Sequence, residues 1–110
     1  MPYDEKLAER VRGLLRRLRG VAEKKMFGGL CFLVNGNMCC GVEKDNLVIR
    51  VGPANYEEAL SKSGARPMDF TGRNLKGFVY VSPAGYPTNA ALKKWVDLAV
   101  DFVKSLPKKG

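Results

Sequence analysis

The sequence has 110 residues, of which 45% are hydrophobic and 27% charged, and its formal net charge is +8. A chain of this length and composition holds one globular domain, 1–110, and is neither intrinsically disordered nor long enough for two full-sized cores. The longest apolar run, Leu30 to Val34, is far shorter than the roughly 20 residues that a membrane-spanning helix needs. Because the first nine residues lack the apolar block of a signal peptide, we expect a cytoplasmic protein that does not cross a membrane.

The residue types also limit the chemistry. The chain has three cysteines and no histidine. The absence of histidine removes Ser-His and Cys-His nucleophile pairs and the commonest metal ligand, and the carboxylates show no recurring acid and base pair. The sequence therefore predicts no catalytic residue, no metal site and no cofactor. The odd number of cysteines fits a reducing compartment rather than a disulfide framework.

In the first half of the chain, leucines and valines three and four residues apart predict an amphipathic helix over Tyr3–Arg19. Asp4 is its expected N-cap and Gly20 its stop. Short apolar runs between residues 24 and 51 then predict a meander of three or four strands. Asn35-Gly36 is the strongest hairpin signal, because a two-residue type I′ turn needs positive φ at both positions.

In the second half, Pro53 opens a short helix that ends near Ser63, and a long loop is predicted over Ala65–Asn74 around a candidate short extended piece at Met68–Phe70. Phe78–Val81 predicts a strand, and Thr88 caps a last helix that places Trp95 in the core. The order is α-β-β-β-β-α-β-α. It predicts an α+β fold in which an antiparallel sheet of about five strands packs against three helices in two layers.

The cysteines lie on the predicted hairpin. A two-residue turn with a regular ladder places Phe32 opposite Cys39 and Cys31 opposite Cys40. Cys39 and Cys40, being adjacent on a strand, then point to opposite faces. Cys31 and Cys40 are therefore a candidate redox pair, and the alternative is that both are small buried hydrophobic residues.

Positive charge is concentrated between Arg10 and Lys25, where seven basic residues accompany one glutamate. On an ideal helix Arg12, Arg16 and Arg19 lie opposite the leucine stripe, so they are candidate phosphate contacts for nucleic acid. The alternative is a solvated helix face. Because no aromatic residue stands among the arginines to stack a base, we expect only weak, sequence-indifferent DNA binding.

Two stretches resemble the N-terminal domain family of the TfoX/Sxy competence regulators. They are residues 23–42, EKKMFGGLCFLVNGNMCCGV, and residues 66–81, RPMDFTGRNLKGFVYV. The junction Arg50-Val51-Gly52-Pro53 and the tryptophan-bearing last helix match in order, so the resemblance covers almost the whole chain. It implies a two-layer α+β domain similar in outline to secretion-chaperone-like and YjbR-like folds.

The resemblance also implies a function. Full-length members are regarded as bacterial transcriptional coregulators of competence that work with the cyclic AMP receptor protein and carry a second, helical domain, before which this sequence ends. It thus implies a non-enzymatic regulatory domain that binds a protein partner, expected in the transcription machinery. A nucleic-acid-binding module, a thiol sensor and a homodimer stay open as alternatives. The matching positions expected to line a partner surface are Lys25, Phe27, Gly28, Gly29, Arg50, Arg66 and Arg73.

Overall fold

The computed structural model describes residues 3–26, 28–70 and 73–107, and within them it leaves out the side chains of residues 26, 69, 70 and 73–76. The helices are α1 (Glu5–Leu15), α2 (Tyr56–Leu60) and α3 (Asn89–Lys104), and short 3-10 turns cover Pro53–Asn55 and Pro83–Gly85. The strands are β1 (Val21–Met26), β2 (Gly29–Val34), β3 (Asn37–Glu43), β4 (Asn46–Arg50), β5 (Ala65–Phe70) and β6 (Arg73–Val81).

The six strands form one antiparallel sheet in the order β1-β2-β3-β4-β6-β5. The predicted α+β class, with three helices on an antiparallel sheet, is confirmed. The sheet has one strand more than expected, because the segment predicted as a loop pairs with β6 as the edge strand β5. Pro67 lacks an N–H and is tolerated in an edge strand, where the register shifts between Pro67 and Asp69.

The predicted helix caps are confirmed. The Asp4 carboxylate accepts hydrogen bonds from the N–H groups of Lys6 at 2.9 Å and Leu7 at 3.1 Å, and the Thr88 hydroxyl accepts one from Ala91. The C-terminal end of the first helix differs from the prediction, since α1 ends at Leu15. The chain must leave the helix there because β1 begins six residues later and the Gly20 carbonyl already accepts a bond from the β2–β3 turn.

The main core lies between the three helices and one face of the sheet. Leu7 and Val11 of α1, Phe32 of β2 and Ile49 of β4 are at most 2% exposed there, and Trp95 of α3 is 4% exposed. Trp95 is thus buried as predicted. None of the helices in the described residues is long and apolar enough to span a membrane.

The β2–β3 hairpin turns at Asn35-Gly36 as predicted, with φ of 54° and 83°. Its register is not the predicted one. Phe32 pairs with Cys40 and Cys31 with Gly41, because Cys39 is an extra residue that forms a bulge in β3. The predicted pairs of Phe32 with Cys39 and of Cys31 with Cys40 are therefore wrong.

The bulge also changes the faces of the cysteines. Cys39 and Cys40 both join the helix-side core instead of pointing to opposite faces as predicted, whereas Cys31 lies on the other face over Gly41. Two small side chains can sit side by side in this core, which is why the extra residue is accommodated there.

The face turned away from the helices carries a second, smaller core of Val48, Met68 and Tyr80. Met68 and Cys31 line one cavity of about 10 Å³, although three strands separate β5 from β2 in the sheet. In a flat sheet these strands would lie roughly 19 Å apart. The sheet is therefore strongly curved, and Gly41 supports the curvature, because a Cβ there would lie 2.7 Å from the Leu30 carbonyl oxygen.

Candidate interaction surface

The predicted partner surface is spread over several elements. Lys25 is exposed on the edge strand β1, and Gly28 is exposed at the β1–β2 turn with φ of 75°. Gly29 is buried against β3, where a Cβ would lie 2.2 Å from the Val42 carbonyl oxygen. Phe27 lies outside the described residues, and so does the Arg73 side chain. Gly29 thus has a structural reason to be glycine that is independent of any partner.

Two of the predicted arginines stack on aromatic rings. The Arg50 guanidinium lies 5.4 Å from the ring centre of Phe78 and 5.3 Å from that of Phe102, and it donates a hydrogen bond to the Met38 carbonyl. Arg50 therefore ties the end of β4 to β3, β6 and α3. Arg66 lies 5.0 Å from the Tyr80 ring centre but is exposed, so its charge is available to a ligand.

The predicted arginine stripe is not a single helix face. Because α1 ends at Leu15, Arg16 is its C-cap and Arg19 lies in the turn beyond, so the shared helical geometry with Arg12 is wrong. Both are exposed, and neither is ion-paired within the described residues. Whether they contact phosphate stays a prediction.

The Arg12 side chain is ion-paired with two carboxylates. It forms ion pairs of 2.5 Å with Glu9 and with Glu23 of β1. The hydrogen bond from Arg12 lowers the pKa of Glu23, and the same bond raises the pKa of Arg12. Arg12 joins α1 to the edge of the sheet, and its charge is compensated.

The cysteines are free thiols. A link between Cys31 and Cys40 would have to cross the sheet, so the predicted redox pair is not supported. Burial raises the pKa of Cys31, and a hydrogen bond with Cys39 together with burial holds the pKa of Cys40 well above its usual range. The environments of Cys31 and Cys40 therefore disfavour the reactive thiolate.

A groove that the sequence analysis did not predict lies between α3, the turn over residues 83–87 and the end of α2. Its volume is about 570 Å³, and it is open along one side. One wall consists of Ala91, Lys94, Trp95 and Leu98, which occupy a single face over two turns of α3. The sequence gives no separate signal for this wall, because Trp95 and Leu98 continue the apolar period of the core-facing stripe of α3.

Hydrogen bonds hold together the elements that form the groove. The Trp95 indole N–H donates to the Gly85 carbonyl at 3.0 Å. The Ser82 N–H donates to the Gly64 carbonyl at 2.9 Å, and a Cβ on Gly64 would lie 2.6 Å from the Gly85 nitrogen. The turn over residues 83–87 is thus fixed between the start of β5 and α3, and the groove is preformed.

Lysines stand on both sides of the groove. Lys62 follows α2 on one side and Lys94 projects from α3 on the other, both exposed, with Glu58 as the single acid among the lining residues. Neither lysine is ion-paired to any residue that the structure describes. Within the same residues, no group of three or more His, Cys, Asp or Glu side chains could hold a metal ion.

Together these features define a two-layer α+β domain with an open, preformed and partly basic groove. A family model described as the TfoX N-terminal domain matches residues 13–103. The chain belongs to the TfoX N-terminal domain family, and the resemblance of the two quoted stretches is thereby confirmed. A search among curated proteins and another among solved structures each found no match.

Proposed function

We propose that this chain is a regulatory domain that acts by binding a protein partner and not by catalysis. The observation that carries the proposal is the family match over residues 13–103, which covers almost all of the chain. Membership of the family supports a transcriptional role. The partner would then be a component of the transcription machinery.

The chemistry of the groove supports a binding role. Glu58, Lys62 and Ser63 lie near one another along it, but no hydrogen bond joins their side chains within the described residues. A hydroxyl nucleophile needs a base within hydrogen-bond reach, and the chain has no histidine to supply one. The groove therefore offers contact area and charge rather than an activated group.

The test is capture of a partner on the immobilised chain from a lysate of its source organism, followed by purification of that partner and calorimetric titration. Saturable binding of a transcription component in a fixed ratio is the expected result. A duplex DNA titration at two salt concentrations runs beside it. Submicromolar, sequence-selective DNA binding at physiological salt, without any protein partner, would contradict the proposal.

A further inference from the structure

The groove has the dimensions of a peptide site. Its α3 wall runs from Ala91 to Leu98, which corresponds to roughly 10 Å along the helix axis. That length matches two turns of a second helix laid beside α3. The open side admits a segment that continues beyond both ends, which an enclosed small-molecule pocket would not.

The α3 wall of the groove offers apolar contacts. Trp95 is only 4% exposed, and its indole N–H is already bonded to Gly85, so the accessible part of the ring offers apolar contact alone. Leu98 is half-buried beside it. A nucleic-acid base needs an exposed aromatic face for stacking, which Trp95 does not present.

The charge at the rim favours an acidic occupant. Lys62, after α2, and Lys94, on α3, both line the groove without ion-pair partners in the described residues, and Glu58 is the single acid among the lining residues. The whole chain carries +8, so the approach of an acidic segment is favoured at long range as well. The apolar side chains of the α3 wall and the two lysines of the rim are together complementary to an amphipathic acidic helix.

We propose that this groove binds a short amphipathic acidic helix of a partner protein, with apolar side chains against Trp95 and Leu98 and carboxylates beside Lys62 and Lys94. The proposal rests on the protein-binding function above and names its site and the chemistry of the partner. Two or three apolar positions three and four residues apart would enter the groove, and acidic positions would flank them.

The single tryptophan of the chain makes binding at this groove directly measurable. The probe is a synthetic helix of about 14 residues, long enough for marginal helicity, with leucines on one face and glutamates beside them. The same peptide with lysines for glutamates is the charge control, and dodecanoate tests for a lipid-like carboxylate. We expect a saturable change in Trp95 emission with the acidic peptide, and binding of the lysine peptide at least about tenfold weaker.

Charge reversal at the rim locates the site. Lys94→Glu and Lys62→Glu should each weaken the acidic peptide about five- to tenfold. Lys6→Glu, on the exposed side of α1 and outside the groove, makes the same change in net charge and should leave the affinity unchanged. Ala91→Phe, which fills one end of the groove, should weaken both peptides, and circular dichroism confirms that each variant is folded.

Equal binding of the two peptides would overturn the proposal, and so would equal losses in Lys6→Glu and Lys94→Glu, or binding of dodecanoate alone. The captured partner separates this proposal from the proposed function. A partner that binds the wild type and Lys94→Glu equally well leaves the protein-binding function intact and refutes the groove. Absence of any protein partner refutes the proposed function, whatever the peptides do.

Discussion

Cys31 and Cys40 lie on opposite faces of the sheet, although a two-residue turn joins their strands. The extra residue at Cys39 shifts the ladder by one position, and a one-residue shift moves a side chain to the other face. Cys31 therefore lies beside Gly41 on the face turned away from the helices, and Cys40 packs under the helices.

We expect all three thiols to stay free and unreactive in the folded protein. After treatment of the folded protein with a mild oxidant, mass spectrometry should still find three free thiols. All three should then react with an alkylating reagent once the protein is unfolded in denaturant. The reason is burial, which both shields the sulfurs and raises the pKa of Cys31 and Cys40. A Cys31–Cys40 disulfide in a protein that keeps its native circular dichroism would show the register to be wrong.

Replacement of Trp95 tests two contributions of this side chain to stability, its apolar packing in the core and its hydrogen bond to the Gly85 carbonyl. Trp95→Ala should lower the free energy of unfolding by about 3 to 5 kcal/mol, because a large buried side chain is lost. Trp95→Phe keeps most of the apolar volume but leaves the Gly85 carbonyl without its donor, so a loss of about 1 kcal/mol is expected. Urea unfolding followed by circular dichroism measures both free energies, and a Trp95→Phe variant as stable as the wild type would contradict the assigned hydrogen bond.

Two glycines make a matched pair for backbone strain. Gly52 has φ of 84° and ψ of 160°, and a Cβ there would lie 2.4 Å from the Phe102 ring. Gly52→Ala should therefore cost about 1 to 3 kcal/mol or more, since the conformation is nearly exclusive to glycine. Gly13→Ala, inside α1 with no atom within 4 Å of its Cβ, should instead stabilise the protein by up to about 1 kcal/mol. Similar effects in the two variants would refute the strained conformation of Gly52.

The Tyr86 phenol gives the protein a defined dependence on alkaline pH. It donates a hydrogen bond to the Asp45 carbonyl, and burial together with Asp45 and Asp4 raises its pKa. The folded state favours the neutral phenol. The phenol therefore makes its full contribution to the free energy of unfolding at pH values below the unfolded-state pKa of about 10, and this contribution is lost as the pH rises through the higher pKa of the folded state. Tyr86→Phe should cost about 1 kcal/mol at pH 8 and should unfold with a shallower pH dependence above pH 10. Parallel curves for the two proteins would contradict this assignment.

DNA binding, where it occurs, should depend on the arginines that have no carboxylate partner. The double variant Arg16→Ala with Arg19→Ala should abolish weak binding to duplex DNA, whereas Arg12→Ala should change it little, because Glu9 and Glu23 compensate the Arg12 charge. Fluorescence anisotropy at two salt concentrations measures the affinity, which should fall steeply with salt. A larger loss in Arg12→Ala than in the double variant would be the contrary result.

The features predicted from the sequence are those that neighbouring residues determine. Asp4 and Thr88 satisfy the first N–H groups of their helices with their own side chains, and Asn35-Gly36 adopts the positive φ that a two-residue type I′ turn needs. These local preferences survive in the fold because nothing in the tertiary structure opposes them. The same holds for the period of the apolar residues in α3.

The features that were missed depend on distant parts of the chain. The strand β5 contains Pro67 and reads as a loop, and only its pairing with β6 makes it a strand. The bulge at Cys39 places two adjacent residues in the helix-side core, which the regular ladder of a two-residue hairpin does not predict. The groove was not predicted because the turn over residues 83–87 forms its second wall, and no periodic pattern in the sequence shows that this turn packs beside α3.

The strand order has a consequence for how the chain folds. Among the described residues, four of the five ladders join strands that follow each other along the chain, and only the β4–β6 ladder spans a long connection. Residues 21–50 and 65–81 can thus form their hairpins early and separately, since short loops close at low entropic cost. The sheet is complete only when β6 pairs with β4. The Gly77 carbonyl stabilises this pairing, because it accepts hydrogen bonds from the N–H groups of both Val51 and Gly52. Because this pairing has the largest sequence separation in the sheet, we expect it to be the slow step of sheet assembly, with α2 in the connection between the two parts.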